Sequence, residues 1–75
     1  MYNFKSLIQE DIDKIIEEAH FTDEQYNVFK ELINPKYGIF YSDTSVYCKL
    51  NYSPGKFYRI KSEVIKKCRR IITDI

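Results

Sequence analysis

Leu50-Asn51-Tyr52-Ser53-Pro54-Gly55-Lys56-Phe57-Tyr58-Arg59-Ile60-Lys61 is the stretch that decides the fold. Ser53 is a helix N-cap residue type, because its hydroxyl oxygen accepts from an N–H of the following turn. Pro54 then suits the first helical position, where no N–H is needed and φ is already near its helical value. Tyr52, ahead of the cap, is placed to staple onto Phe57. At 100° per residue, Phe57, Ile60, Val64, Cys68 and Ile71 fall within about 80° of one another. Gly55, Arg59, Ser62, Glu63, Lys66 and Arg70 take the opposite side. The spacing predicts one amphipathic helix over 54–72.

Working outward, Ser42 or Asp43 caps a short helix over 43–50 that turns Val46, Tyr47 and Leu50 inward. Asn51 and Tyr52 alone separate Leu50 from the next cap. So short a link does not suit a relaxed antiparallel hairpin of long helices, and it fits a helix-turn-helix spanning about 42–70, with its two helices crossing steeply. Farther upstream, Thr22 and Gln25 form a capping box, Phe21 can staple onto Tyr26, and Asp23 and Glu24 suit the positive end of the helix dipole. A helix over 23–33 follows, burying Val28, Phe29, Leu32 and Ile33 and stopped by Asn34-Pro35. Leu7, Ile8, Ile12, Ile15, Ile16 and Ala19 predict a further amphipathic helix over 7–19, with Tyr2 and Phe4 packing onto the core. Between the second and third helices, Gly38 marks a turn, and Ile39-Phe40-Tyr41 reads either as a short extended piece or as a tucked loop. The expectation is an all-α, four-helix single domain over 1–75, with the first helix as a support or interaction element.

The charges are polarised. Residues 1–37 carry eight acidic and four basic side chains, residues 38–75 three acidic and eight basic, although the net charge is only +1. Such asymmetry points to a polyanion partner for the back half. No apolar run approaches the ~18 residues that span a bilayer, and Met1-Tyr2-Asn3-Phe4-Lys5 lacks a signal-peptide pattern, so a cytoplasmic protein without membrane contact is expected. Cys48 and Cys68, twenty residues apart beside a single His, write no zinc framework; both thiols are expected to be small buried hydrophobes. No cofactor and no metal is expected.

In a helix-turn-helix the second helix enters the DNA major groove with its N-terminal end first. Its outward residues here are Gly55, Lys56, Arg59, Ser62 and Glu63, with Tyr58 at the edge. Ser53 and the N–H groups at the helix start are expected phosphate ligands. Arg59 is the residue type that grips guanine O6 and N7 together. Lys66, Lys67, Arg69 and Arg70 supply a basic tail for the phosphate backbone.

The segment from Leu50 to Lys61 resembles the helix-turn-helix of small phage- and mobile-element-encoded transcriptional regulators. It is similar, more distantly, to region four of bacterial sigma factors. Leu50, Asn51, Ser53, Phe57 and Arg59 match that pattern, and Phe57-Tyr58-Arg59 is shared with the phage-type members. Phe21-Thr22-Asp23-Glu24-Gln25 resembles the start of the family's support helix, and Tyr41-Ser42-Asp43 resembles the lead-in to its first motif helix. The likeness covers residues 21–72. It departs at Tyr47, where the family usually has Ala, and a Tyr there implies a wider crossing or an altered register of the two motif helices. Pro54-Gly55 is also unusual at positions that face DNA. The resemblance implies sequence-specific DNA binding in transcription regulation, without catalysis.

Other readings carry their own expectations. Lys66-Lys67-Cys68-Arg69-Arg70 also reads as a solvated helix face. Glu10, Asp11, Asp13, Glu17 and Glu18 form the polar face of the first helix; they would repel DNA or meet a basic partner, which makes a protein-binding adaptor of the transcription machinery the alternative. An enzyme would need a pocket near His20 or the tyrosines, and none is expected. One such motif buries only about 600–1,000 Å² on DNA. A second contact is therefore expected, either a homodimer using Tyr2, Phe4, Ile72 or Ile75, or an RNA polymerase subunit. No small-molecule substrate is expected.

Overall fold

The computed structural model describes residues 7–72. Among them the chain is all-α, with α1 at Gln9–Ala19, α2 at Asp23–Leu32, α3 at Asp43–Leu50 and α4 at Pro54–Ile71. There is no strand among these residues; one isolated bridge joins Tyr37 and Tyr41. The expectations for Tyr2, Phe4 and Ile75 lie outside the described residues.

The caps act where their residue types place them. Thr22 Oγ1 accepts from the Gln25 N–H while Gln25 Oε1 accepts from the Thr22 N–H, closing the capping box at the head of α2. Ser42 caps α3, accepting from the Ser45 N–H, and Ser53 caps α4, accepting from the Lys56 N–H with Pro54 behind it. α1 begins two residues later than the periodicity predicts. Ile8 is extended, at φ −87° and ψ 166°, and its N–H leans on Asp11 Oδ2 at 3.4 Å.

Asn51 makes the turn between α3 and α4. It takes a left-handed conformation (φ 60°), which Asn tolerates better than most residues. Its N–H bonds to Cys48 O and the Tyr52 N–H to Tyr47 O, the Schellman pairing that satisfies the last carbonyls of α3. In the connection from α2 to α3, Gly38 supplies a positive φ of 81°. Amides of Ile39, Phe40 and Tyr41 all bond to the Lys36 carbonyl. The result is a hydrogen-bonded turn, not an extended piece or a tucked loop, and it holds Ile39 and Phe40 out at 65% and 76% exposure.

The core is Ile15 and Ala19 of α1, Val28, Phe29 and Leu32 of α2, Val46 of α3, and Phe57, Ile60, Val64 and Cys68 of α4. Full burial of each large side chain stabilises by about 1.5–3 kcal/mol before ordering costs. α4 supplies the largest share and packs chiefly against α2 and α1, more lightly against α3. α3 is only eight residues long, and where it meets α4 the Tyr47 ring lies 5.8 Å from Phe57 and edge-on to Tyr58 at 6.4 Å. Phe21 packs its ring on Phe29 at 5.1 Å, while Tyr26, the expected staple partner, is 39% exposed. Cys68 is buried as expected, and burial pushes its thiol up to about 11. Cys48 is exposed, against expectation. It lies two residues from Val46, the buried position of α3, which turns it 200° around that helix.

Candidate nucleic-acid interface

α4 presents three sides besides its core stripe, and each uses its cations differently. The side toward α2 bears Lys56, Glu63 and Lys67. The Lys56 ammonium pairs with Glu24 and lies 4.6 Å over the Tyr52 ring. Lys67 donates to Gln25 Oε1 at 2.6 Å and to the His20 carbonyl at 3.2 Å, placing a cation on the C-terminal end of α1. Gln25 is buried and bonded at both ends of its amide: its carbonyl oxygen accepts from Thr22 and Lys67, and its amide nitrogen donates to Glu63 Oε1 at 3.2 Å. Of the eleven candidate contact residues, these three are therefore turned toward α2 as well as toward solvent.

The side toward α3 holds Lys61. Its ammonium donates to Tyr37 Oη at 3.1 Å and to both oxygens of Asp43 at 3.1 and 3.2 Å, while the Tyr37 hydroxyl donates to Asp43. Burial pushes the Tyr37 phenol up, reinforced by the Asp43 hydrogen bond. Burial alone would lower the Lys61 ammonium; the hydrogen bonds to Tyr37 and Asp43 outweigh it and leave the pKa raised. This cluster ties the 34–42 connection, α3 and α4 together.

The remaining side faces solvent. Gly55, Arg59, Ser62, Lys66, Arg69 and Arg70 are exposed along it, and Tyr58 flanks it at 50% exposure. A side chain at position 55 would meet no other group within 4 Å. Arg59 lies 3.6 Å from Glu63 Oε2, its i+4 neighbour. At the head of α4, Pro54 has no N–H and the Lys56 N–H is taken by Ser53 Oγ. The capacity of this helix start to bind an anion thus narrows to the Gly55 amide, with the Ser53 hydroxyl proton as a second donor.

The opposite charge sits on α1. Ile15 and Ala19 face α4, so Glu10, Asp13 and Glu17 lie on the far side of that helix, exposed, beside an exposed Ile16. Ile8, at the head of α1, is 58% exposed, and Ile72, offered above as a dimer contact, packs partly buried on the core. Among the described residues, shallow cavities include one of about 190 Å³ (Glu31, Tyr41, Ser45, Val46, Lys49) and one of about 120 Å³ (Glu18, Ala19, Lys67, Arg70, Ile71). Both fall below the roughly 300 Å³ at which ligand pockets begin. No cluster of His, Cys, Asp and Glu among the described residues could hold a metal ion, and no helix among them is long and apolar enough to cross a membrane.

No protein-family model, curated protein or solved structure matches this chain.

Proposed function

We propose that this protein is a double-stranded DNA-binding transcription regulator of the helix-turn-helix type, akin to the small phage and mobile-element regulators. α4 lies in the major groove, Arg59 is its base-reading side chain, and Lys66, Arg69 and Arg70 lie along the phosphates. One observation carries the reading. The cations of α4 that face solvent lie along the exposed side of the second helix of a tightly turned pair, behind a capped N-terminus. Phosphate contacts there would give affinity and orientation, and Arg59 would give sequence preference.

A second reading has its own observation: Glu10, Asp13 and Glu17 with the exposed Ile16 form a mixed acidic and apolar face on α1. That suits a protein-binding adaptor with a basic partner, an RNA polymerase subunit among them. A fluorescence-anisotropy titration against a random-sequence duplex pool at two salt concentrations separates the two. The regulator reading expects log K to fall by about 0.9 per decade of salt for each phosphate neutralised. Absence of duplex binding at low salt overturns it in favour of the adaptor.

A further inference from the structure

Two acids contact the cations nearest the N-terminal end of α4, the end that enters the groove in the DNA-binding reading on which this inference rests. Glu24, from α2, pairs with Lys56. Glu63, the one acid of α4, lies beside Arg59. The Glu63 carboxylate is held in place from the other side: its second oxygen accepts from Gln25 Nε2, and Gln25 is buried and pinned by Thr22 and Lys67. Arg59 is the more exposed partner, with its side chain 61% exposed against 42% for Glu63.

We propose that Glu24 and Glu63 are specificity-determining residues that act as competitors for the DNA contacts of Lys56 and Arg59. To reach DNA, each cation must leave a carboxylate behind. On an arbitrary sequence Arg59 would exchange one anionic oxygen for another, a phosphate for Glu63, and the bared carboxylate would then face the phosphate backbone. That exchange gains little. A guanine presenting O6 and N7 offers two acceptors aligned with the guanidinium fork and brings no negative charge against the bared carboxylate, so its two-point contact offsets the lost ion pair where a phosphate contact does not. The two acids therefore suppress non-target binding, which is how a repulsive element contributes to discrimination. Glu63 is anchored by Gln25 and cannot follow Arg59 outward, which makes it the stronger of the two.

The test compares the wild type with Glu63→Gln, Glu24→Gln and Glu17→Gln, titrated with a random-sequence duplex at several salt concentrations. Glu17→Gln makes the same charge change on the outer face of α1 and controls for net charge. Gln at 63 keeps an acceptor for the Gln25 amide, and the Glu24 pair is surface-exposed, so folding is checked by thermal melts and is not the expected readout. At about 0.1 M salt Glu63→Gln should bind the random duplex about tenfold more tightly and Glu24→Gln about fivefold, each with a salt dependence steeper by about 0.9. Glu17→Gln should change affinity by about twofold at most. In an Arg59→Gln background, Glu63→Gln should add no more than Glu17→Gln does. Binding by the wild type with no extra gain in Glu63→Gln and Glu24→Gln overturns this inference alone. Variants that bind where the wild type does not support it. Absence of binding by every protein overturns the DNA reading and this inference with it.

Discussion

Lys61 and Lys66 lie five residues apart on α4 and serve different ends. Lys61, on the side toward α3, holds Asp43 and Tyr37 together and is a structural residue. Lys66, on the open side, is exposed and forms no ion pair with an acid of the described residues. The same contrast separates Lys67, tied to Gln25 and the end of α1, from Arg70, three residues farther on and exposed. A cation already paired inside the protein has less to offer a phosphate, because its partner must be released first. A count of basic residues in the back half thus overstates the number of ligands ready for a polyanion.

The contrast breaks most visibly if the open face is stripped. Lys66→Ala with Arg70→Ala should weaken duplex binding about fiftyfold at about 0.1 M salt, and flatten the salt dependence by nearly two contacts. The same variant should unfold within about 0.5 kcal/mol of the wild type, since it touches no buried feature. A stability loss with unchanged DNA affinity would reverse the roles assigned here. Lys61→Met tests the other side. It leaves Asp43 and Tyr37 without their cation in a partly buried site, for an expected loss of about 1–2 kcal/mol in urea unfolding.

Alkaline titration sharpens the same division, because the groups with raised pKa values, Cys68, Tyr37 and Lys61, all lie on the inner sides of α4 or against them. The Cys68 thiol is raised from 9.0 to about 11 by burial. Above pH 9 the unfolded chain therefore releases a proton that the folded chain retains, so stability is full below that pH and falls as pH rises through about 11. Tyr37 and Lys61, also raised, act in the same direction. Melting temperatures should decline over this range, and Cys68→Ala should decline less steeply than the wild type. The smallest effect is chemical. A thiol reagent such as Ellman's should modify Cys48 in the folded protein at neutral pH and reach Cys68 only on unfolding.

Much of this architecture is legible locally. Thr22 with Gln25, Ser42 before Asp43, and Ser53-Pro54 each mark a helix start through a side chain that bonds its own backbone three residues on, and such signals need no distant partner. The candidate interface is less so. The sequence reads Lys56 and Glu63 as outward and Lys67 as part of a basic tail, because spacing alone does not say which neighbour stands opposite. Gln25 reads as a capping residue and nothing more, although its amide also reaches Glu63 and Lys67 on α4. Cys48 reads as buried because cysteine usually is, and the single buried position of the short α3 overrides that habit. Ile39 and Phe40 read as loop residues that could tuck in, and the hydrogen bonds to the Lys36 carbonyl hold them out.

The four helices, the caps of α2, α3 and α4, the short link at Asn51 and the apolar stripe of α4 are written in the sequence, because each shows in residue types and spacings a few residues apart. Tertiary structure alone decided which cations of α4 remain open. That outcome depends on α2 lying along one flank of α4, with Glu24 against Lys56 and Gln25 against Glu63 and Lys67. It also depends on Asp43 and Tyr37 meeting Lys61 on the other flank. These pairs span eighteen to forty-two residues of chain. An ion pair over such a separation exists only once hydrophobic packing has set the helices side by side, and no local pattern encodes it.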